Sequence, residues 1–214
     1  GGQGCHFEAA FGVRLMRGLG SRYHYNALGQ ELTGSYWVWG RVVGRQNLIV
    51  GSDHHNTDLL MAIGWNGMMS HQMPQARRFL TKMSKDPKRQ LVVIDPRLSE
   101  TAQIADIHLP IRPGTDALLT RAMIAIILQE GWQNDDYLKQ HTSGLDQITP
   151  LFADFDPRRA IEVCELDYQQ VRDLCQLLAT QKWSMHYDLG VMMNRHSTAT
   201  TYLHAILLGI CGRI

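Results

Sequence analysis

The sequence predicts an α/β protein with a doubly wound parallel sheet. Residues 91–94 form a short apolar, largely β-branched run that ends in Asp95 and Pro96, a pattern typical of a strand buried on both faces. Residues 59–63 form a second such run, and a segment of helical length separates the two. Strand and helix patterns keep alternating up to residue 187, which favours a parallel sheet between helices.

Length, charge and cysteine content limit the classes of protein. A chain of 214 residues can bury the core of one large domain, and its net charge of +1 gives no general field for nucleic acid. No apolar run reaches the roughly 20 residues that span a bilayer, so we expect no membrane insertion. The four cysteines are widely spaced, which favours reduced thiols and a cytoplasmic protein. Both ends look like internal positions of a longer chain, so a periplasmic location stays open.

The first third of the chain has one weak helix and one irregular segment. Residues 7–19 are apolar at helical intervals, but Gly12 and Gly18 weaken the pattern. Residues 23–44 are rich in aromatics and glycine without a sustained period, which indicates an irregular or docking segment. The predicted strand at residues 59–63 then ends in a loop, residues 64–67, that is tight enough for a backbone to approach a ligand.

The central part predicts one right-handed strand–helix–strand unit. Pro74 suits the first turn of a helix that reaches about Met83, and the strand at residues 91–94 follows. After a turn at Pro113 and Gly114, Thr115 and Asp116 are expected to cap a buried helix over residues 117–128.

The last third predicts a polar connector, two helices and a strand. The connector contains Pro150 and Pro157, and Asp167 is expected to cap an amphipathic helix. That helix has apolar residues at helical spacing, namely Val171, Leu174, Cys175 and Leu178. A strand over residues 182–187, a loop at residues 188–190 and a helix over residues 198–208 complete the pattern.

Ligand chemistry is expected at the loops that follow the strands. Neither Gly-x-Gly-x-x-Gly after a strand nor a P-loop motif occurs, so the candidates are the loops 64–67, 95–99 and 114–116. Two carboxylates, Asp95 and Asp116, would lie on one rim, although both could simply end their elements without binding a ligand. His54 and His55 with His71 fit no standard zinc spacing, so we predict no metal site. No nucleophile motif is present, and we predict no catalytic residue.

The motifs in this region resemble, in order and spacing, the molybdopterin oxidoreductase family, which includes dimethyl sulfoxide reductase, nitrate reductase and formate dehydrogenase. The most specific block runs from Asp-Pro-Arg at 95–97 to Pro-Gly-Thr-Asp at 113–116, and Gly-Trp-Asn at 64–66 precedes it. The resemblance extends more weakly to residues 1–20 and 185–213. It implies that residues 1–47 belong to a preceding molybdopterin-region domain, that residues 48–186 form a Rossmann-like nucleotide-binding domain, and that residues 187–214 begin the return to the preceding domain.

The resemblance also implies a cofactor and the residues that hold it. Family members bind bis-molybdopterin guanine dinucleotide with molybdenum, and an iron–sulfur cluster could be bound by an amino-terminal segment outside this chain. Carried over, Gly64 and Asn66 would lie along the phosphates, Asp95 and Arg97 near the ribose and phosphate, and Asp116 at the guanine. The full set of expected cofactor-binding residues is Gly64, Trp65, Asn66, Gly67, His71, Asp95, Pro96, Arg97, Gly114, Thr115, Asp116 and Gly190.

Two departures from the family pattern keep an alternative open. Many members have a pterin-contacting glutamine where this chain has Met193, and the region of the molybdenum ligand, residues 27–33, contains no Cys, Ser or Asp. The leading interpretation is the central cofactor-binding part of a molybdenum oxidoreductase with a small-molecule substrate and an electron-transfer partner protein. The fragment alone is expected to be inactive. The alternative is a family-like scaffold, an electron-transfer or assembly subunit without molybdenum.

Overall fold

The computed structural model describes residues 6–23, 25, 27–45, 51–70 and 73–214. The strands are β1 (Leu59–Ile63), β2 (Gln90–Ile94), β3 (Ile107–Leu109) and β4 (Trp183–Tyr187). The helices of the amino-terminal and central parts are α1 (His6–Gly18), α2 (Leu28–Glu31), α3 (Thr33–Val42), α4 (Ala76–Met83) and α5 (Asp116–Gln129). The later helices are α6 (Asp135–His141), α7 (Leu145–Ile148), α8 (Pro150–Ala153), α9 (Pro157–Val163), α10 (Tyr168–Thr180), α11 (Leu189–Met192) and α12 (Ser197–Ile210).

The four strands form one parallel sheet in the order β3-β2-β1-β4. The three predicted strands are therefore adjacent and parallel, which confirms the predicted fold class. In the register, Ile63 of β1 pairs with Ile94 of β2 and with Tyr187 of β4. Because all four strands are parallel, their carboxyl ends lie at one edge of the sheet.

The sheet is covered on both faces, as its alternating side chains require. Leu60 and Ala62 of β1 face α4 in a smaller core. Met61 and Ile63 face the larger core, to which α5, α10 and α12 contribute buried residues. Each strand residue of β1 is buried, so the sheet's centre is apolar on both sides.

Two segments predicted without regular structure are helical. The segment 23–44 contains α2 and α3, and Ser35, Val38 and Trp39 of α3 are buried, with Trp39 bonded to Tyr187 of β4. The prediction of an irregular segment was wrong because Gly34 and Gly40 obscured this i, i+3, i+4 pattern. The connector with Pro150 and Pro157 forms α6 to α9, and both prolines occupy first-turn positions, where their missing N–H is no loss.

Some predicted helix ends are as expected, but Pro74 is not in the first turn of α4: it lies in the turn before the helix, which begins at Ala76 after Gln75 with φ of 55°. The Asp167 side chain accepts a hydrogen bond from the Gln170 N–H, which confirms its capping role, and Gly131 follows α5 with φ of 71°. The α5 helix begins at Asp116, but the Thr115 hydroxyl donates to the Arg112 carbonyl instead of capping the helix. Within the described ranges, no helix is both long and apolar enough to cross a membrane.

Candidate functional site

The carboxyl ends of β1 and β4 meet where the strand order reverses, because β2 and β3 lie on one side of β1 and β4 on the other. Such a reversal is where open α/β sheets bind ligands. The segment 188–190, predicted as a loop, enters the helix α11 at Leu189, and this helix packs backbone against backbone on the loop after β1. A Cβ atom added to Gly190 would lie 2.6 Å from the Gly64 carbonyl oxygen, and Gly64 has φ of 57°. Glycine at both positions is therefore required by close approach.

A hydrogen-bond network joins the loops after β1 and β2. The Asn66 amide donates to Glu100 at 2.6 Å and accepts from the Thr101 hydroxyl at 2.8 Å. The same hydroxyl accepts the Met68 N–H at 3.0 Å, and Thr101 is fully buried. The Asn66 side chain is thus used within the protein, and it fixes the first rim loop against the second.

The β1 loop also offers unused backbone donors. The N–H groups of Trp65, Asn66 and Gly67 have no hydrogen-bond partner among the described residues. Consecutive free N–H groups in a loop form a concavity that favours anions. The Trp65 side chain is completely buried, with its ring packed over Gly67 and 4.0 Å from the ring of His186.

The β2 loop contributes an exposed cation. The Arg97 backbone N–H donates to the Asp95 carboxylate at 2.9 Å, while the Arg97 guanidinium lies 3.1 Å from Glu100 and is 64% exposed. Hydrogen bonds from its own backbone N–H, from Asn66 and from Arg97 lower the pKa of Glu100. Among the described residues, Glu100 is the partner of the Arg97 guanidinium, which leaves donors for a second anion.

Asp116 at the start of α5 meets the segment that follows β4. Its carboxylate accepts a bond of 3.4 Å from the Asn194 Nδ2 atom, and the Asn194 Oδ1 atom accepts the His196 N–H at 2.8 Å. Burial raises the pKa of Asp116. The adjacent Gly114 has φ of 81° and open space around it. A partly buried carboxylate therefore lies beside an open turn.

Asp188 begins the segment 188–190 that the sequence predicts at the ligand rim, but it is not among the predicted cofactor-binding residues. It is 8% exposed, its carboxylate caps α11 by accepting the Leu189 N–H, and it also accepts from the Ser70 hydroxyl at 3.3 Å. Burial raises the pKa of Asp188, and the charge of Glu31 adds to the effect. The sequence did contain a signal for this role. Asp188 directly follows the predicted strand and precedes Leu-Gly, and Asp at such a position is typical of a helix N-cap.

The structure brings most of the predicted residues to this carboxyl rim. Direct hydrogen bonds or close packing connect the segments that contain Gly64, Asn66, Arg97 and Gly190. Pro96 is exposed between Asp95 and Arg97. Asp116, Thr115 and Gly114 lie at the start of α5 and reach the post-β4 segment through Asn194. Gly67 lies under the Trp65 ring, and His71 is outside the described residues.

A family model for molybdopterin oxidoreductases matches residues 2–208. The chain belongs to the molybdopterin oxidoreductase family. Membership of this family implies a molybdenum–pterin cofactor. This agrees with the resemblance of the rim motifs to those of the family.

The molybdopterin oxidoreductase relatives are several times longer than this chain. An F420-dependent formate dehydrogenase subunit alpha from Methanocaldococcus jannaschii is 29% identical over 158 residues, which are 73% of this chain and 23% of the relative. A nitrate reductase from Symbiobacterium thermophilum is 31% identical over 174 residues, with 74% and 23% coverage. The fold matches acetylene hydratase from Pelobacter acetylenicus with a TM-score of 0.78 at 23% identity, over 94% of this chain and 27% of that one.

Proposed function

We propose that the carboxyl rim holds the guanosine end of molybdopterin guanine dinucleotide and that the whole protein is a molybdenum-dependent oxidoreductase of the formate dehydrogenase or nitrate reductase type. The observation that most supports this is Asp116, a partly buried carboxylate oriented by Asn194 beside the open turn at Gly114. The bound cofactor would supply two-electron chemistry at its metal. The residues described above would bind and orient its nucleotide end.

The loops after β1 and β2 have the chemistry that a diphosphate needs. The free N–H groups of residues 65–67 and the exposed guanidinium of Arg97 are donors for phosphate oxygens. The internal bonds of Asn66 and Thr101 hold these donors in place before a ligand arrives. Such preorganisation lowers the entropic cost of binding.

Asp116 has the chemistry that guanine needs. Guanine presents its N1–H and its N2 amine side by side, and an ionised carboxylate can accept both, whereas adenine has no such pair of donors. The Asn194 bond occupies one lone pair of one carboxylate oxygen, so acceptor positions remain on both oxygens. The side chain can therefore select guanine over adenine.

The test is titration of the protein with GDP and ADP by calorimetry. We expect GDP to bind with millimolar to micromolar affinity and ADP more weakly. Asp116→Ala and Asp116→Asn should each remove the preference for GDP, with a loss of about 1.5–3 kcal/mol per charge-assisted bond. Asp135→Ala is the matched control, because Asp135 occupies the same first position of α6 away from the rim.

The pH dependence of GDP affinity supplies a second readout. Guanine is bound by the ionised carboxylate, and burial raises the pKa of Asp116, so affinity for GDP should fall as the pH is lowered through that pKa. Equal affinity of the unaltered protein for GDP and ADP would contradict the proposal.

One set of observations favours the second candidate, a scaffold without molybdenum. Between residues 27 and 33 the side-chain oxygens belong to Gln30, Glu31 and Thr33, and the Thr33 hydroxyl donates to the Gly29 carbonyl in the preceding helix α2. Met193, at the position of the family's glutamine, is 58% exposed. Elemental analysis of the whole protein decides between the candidates. About one molybdenum per chain supports the enzyme, and its absence in protein that still binds GDP supports the scaffold.

A further inference from the structure

A basic groove lies along α4, outside the nucleotide rim. The groove has a volume of about 990 Å³, and four cations line it, namely Arg77, Arg78, Lys82 and Lys85. The loop 67–70 forms its other wall. We call this feature the α4 groove.

The charge of the α4 groove follows from the amphipathic pattern of the helix. Ala76, Leu80 and Met83 are buried in the smaller core, so the cations project from the opposite side, where all four are exposed. None of the ion pairs in the described part of the chain includes these four residues. The whole chain has 21 basic and 20 acidic residues, so this surface is a local concentration of positive charge. An acidic occupant would relieve the repulsion between the cations.

The opposite wall of the α4 groove is apolar. Met68, Met69 and Met73 line it, and Met69 is 63% exposed. Methionine side chains are flexible and polarisable, and they adapt to varied apolar groups. None of the described residues that line the groove is aromatic, so this lining offers no stacking platform of the kind that single-stranded nucleic-acid sites use. A free phosphate would leave the methionines unused.

We propose that the α4 groove binds an acidic segment of a partner protein that also presents an apolar side chain to the methionines. The carboxylates of the segment pair with the cations of the groove, and the apolar side chain packs on the exposed Met69 and the partly buried Met68. The groove begins beside the nucleotide rim at Gly67, but its cations lie on α4 and, for Lys85, just after it, so this site is distinct from the proposed guanine site at Asp116.

The experiment uses two acidic probes on the whole protein, followed by fluorescence anisotropy at low salt. Polyglutamate presents charge alone, and a glutamate–tyrosine copolymer presents charge with apolar side chains. We expect the copolymer to bind about ten-fold more tightly than polyglutamate, with an affinity that falls as salt is added. Met69→Ser should reduce this advantage of the copolymer by about three-fold or more, because Met69 is the most exposed part of the apolar wall.

Charge variants locate the binding. The double variant Arg78→Glu, Lys82→Glu should weaken binding of the copolymer by about ten-fold or more. The neutral double variant Arg78→Gln, Lys82→Gln should weaken it by an intermediate factor. The matched control is Lys139→Glu with Arg159→Glu, two exposed cations on α6 and α9, which should leave the affinity unchanged. The neutral pair keeps the test decisive if the reversed pair fails to fold.

Several results would overturn the proposal. Equal affinity for polyglutamate and for the copolymer would show that apolar side chains add nothing to binding. Tighter binding of an oligo-dT strand of equal charge than of the copolymer would indicate a nucleic-acid site instead. If the copolymer did not bind the whole protein, no acidic segment with an apolar side chain would occupy the groove. Displacement of the copolymer by excess GDP would assign the cations to the nucleotide site, whereas loss of GDP binding alone would affect only the proposed function.

Discussion

Individual side chains at the rim bond mainly to one another, and this limits what they can offer a ligand. Asn66, Thr101 and Asp188 each have internal partners, so they fix loop geometry. Among the described rim residues, the groups left for a ligand are backbone N–H groups, the Arg97 guanidinium and the Asp95 and Asp116 carboxylates, each of which has one internal partner. The site therefore depends on its charged side chains and also on glycines, which allow the segments of the rim to approach each other closely.

The close contact between Gly64 and Gly190 leads to a stability prediction. Gly190→Ala would place a methyl group 2.6 Å from the Gly64 carbonyl oxygen, so the two segments must separate. We expect the free energy of unfolding to fall by about 1–3 kcal/mol, as for other overpacked sites. Urea unfolding measures this change, and weaker GDP binding should accompany it.

Gly12→Ala is the control for Gly190→Ala. Gly12 lies within α1 with no atom within 4 Å of an added Cβ, so alanine there should be neutral or slightly stabilising. A Gly190→Ala protein as stable as the unaltered one would contradict the backbone contact.

The rim positions could be predicted from the sequence, but their partners could not. Asp95 and Gly64 follow strand patterns, and parallel strands place their carboxyl ends on one edge. The pairs Asn66–Glu100 and Asp116–Asn194 join residues far apart in the chain, and they depend on strand register and on the packing of α5 against α12. Neither quantity follows from local patterns.

At the scale of elements, the segments that could be predicted from the sequence had a clear periodic pattern of apolar residues and also a residue typical of a helix or strand end. The α10 helix is the best case, since Val171, Leu174, Cys175 and Leu178 are all fully buried as their spacing predicts. The β3 strand was not predicted, because three residues with His108 at their centre give no period to recognise. Its pairing with β2 is set by the sheet, not by its own composition.

The cap of α10 provides a prediction at this scale. Asp167→Ala removes the acceptor of the Gln170 N–H, which is 2.8 Å from the carboxylate. The free energy of unfolding should fall by about 0.5–2 kcal/mol. Gln176→Ala, on the exposed side of the same helix, should change it by less than about 0.5 kcal/mol. Chemical denaturation of both variants tests the cap, and equal effects would argue against it.

At the scale of the whole molecule, two histidines are withdrawn from water: His186 of β4 is partly buried and His204 of α12 is fully buried. His186 lies in β4 on the side of the smaller core, with its ring against Trp65, and His204 lies in α12 with its ring 5.0 Å from that of Tyr187. The His186 Nε2 atom and both His204 ring nitrogens have no hydrogen-bond partner within the described residues. Burial lowers the pKa of His186 to about 4, with His54 adding to the effect, and burial lowers the pKa of His204 to about 3.

These two histidines should make the fold sensitive to mild acid. Below pH about 6.5 the unfolded chain binds protons at both rings while the folded protein does not, so stability is lost as the pH falls from there towards 4 and 3. Each histidine contributes a slope of about 1.4 kcal/mol per pH unit in that range. The raised pKa values of Asp116 and Asp188 act in the opposite direction, because the folded protein then binds protons more readily, but only near the lower pH at which carboxyl groups titrate.

Replacement of one histidine isolates its share of the acid sensitivity. His204→Leu removes a buried ring whose nitrogens have no partner in the described structure, so the protein should be at least as stable at pH 7.5 and should lose less stability on transfer to pH 5.5. The difference in loss should be about 1.4 kcal/mol, measured by urea unfolding at the two pH values. His141→Gln is the control, since the His141 side chain on α6 is exposed to water before unfolding as well as after it. If the His204→Leu protein kept the full acid slope, proton uptake by this ring on unfolding could not be its source, and His204 would have to be protonated already or hydrogen-bonded in the folded protein.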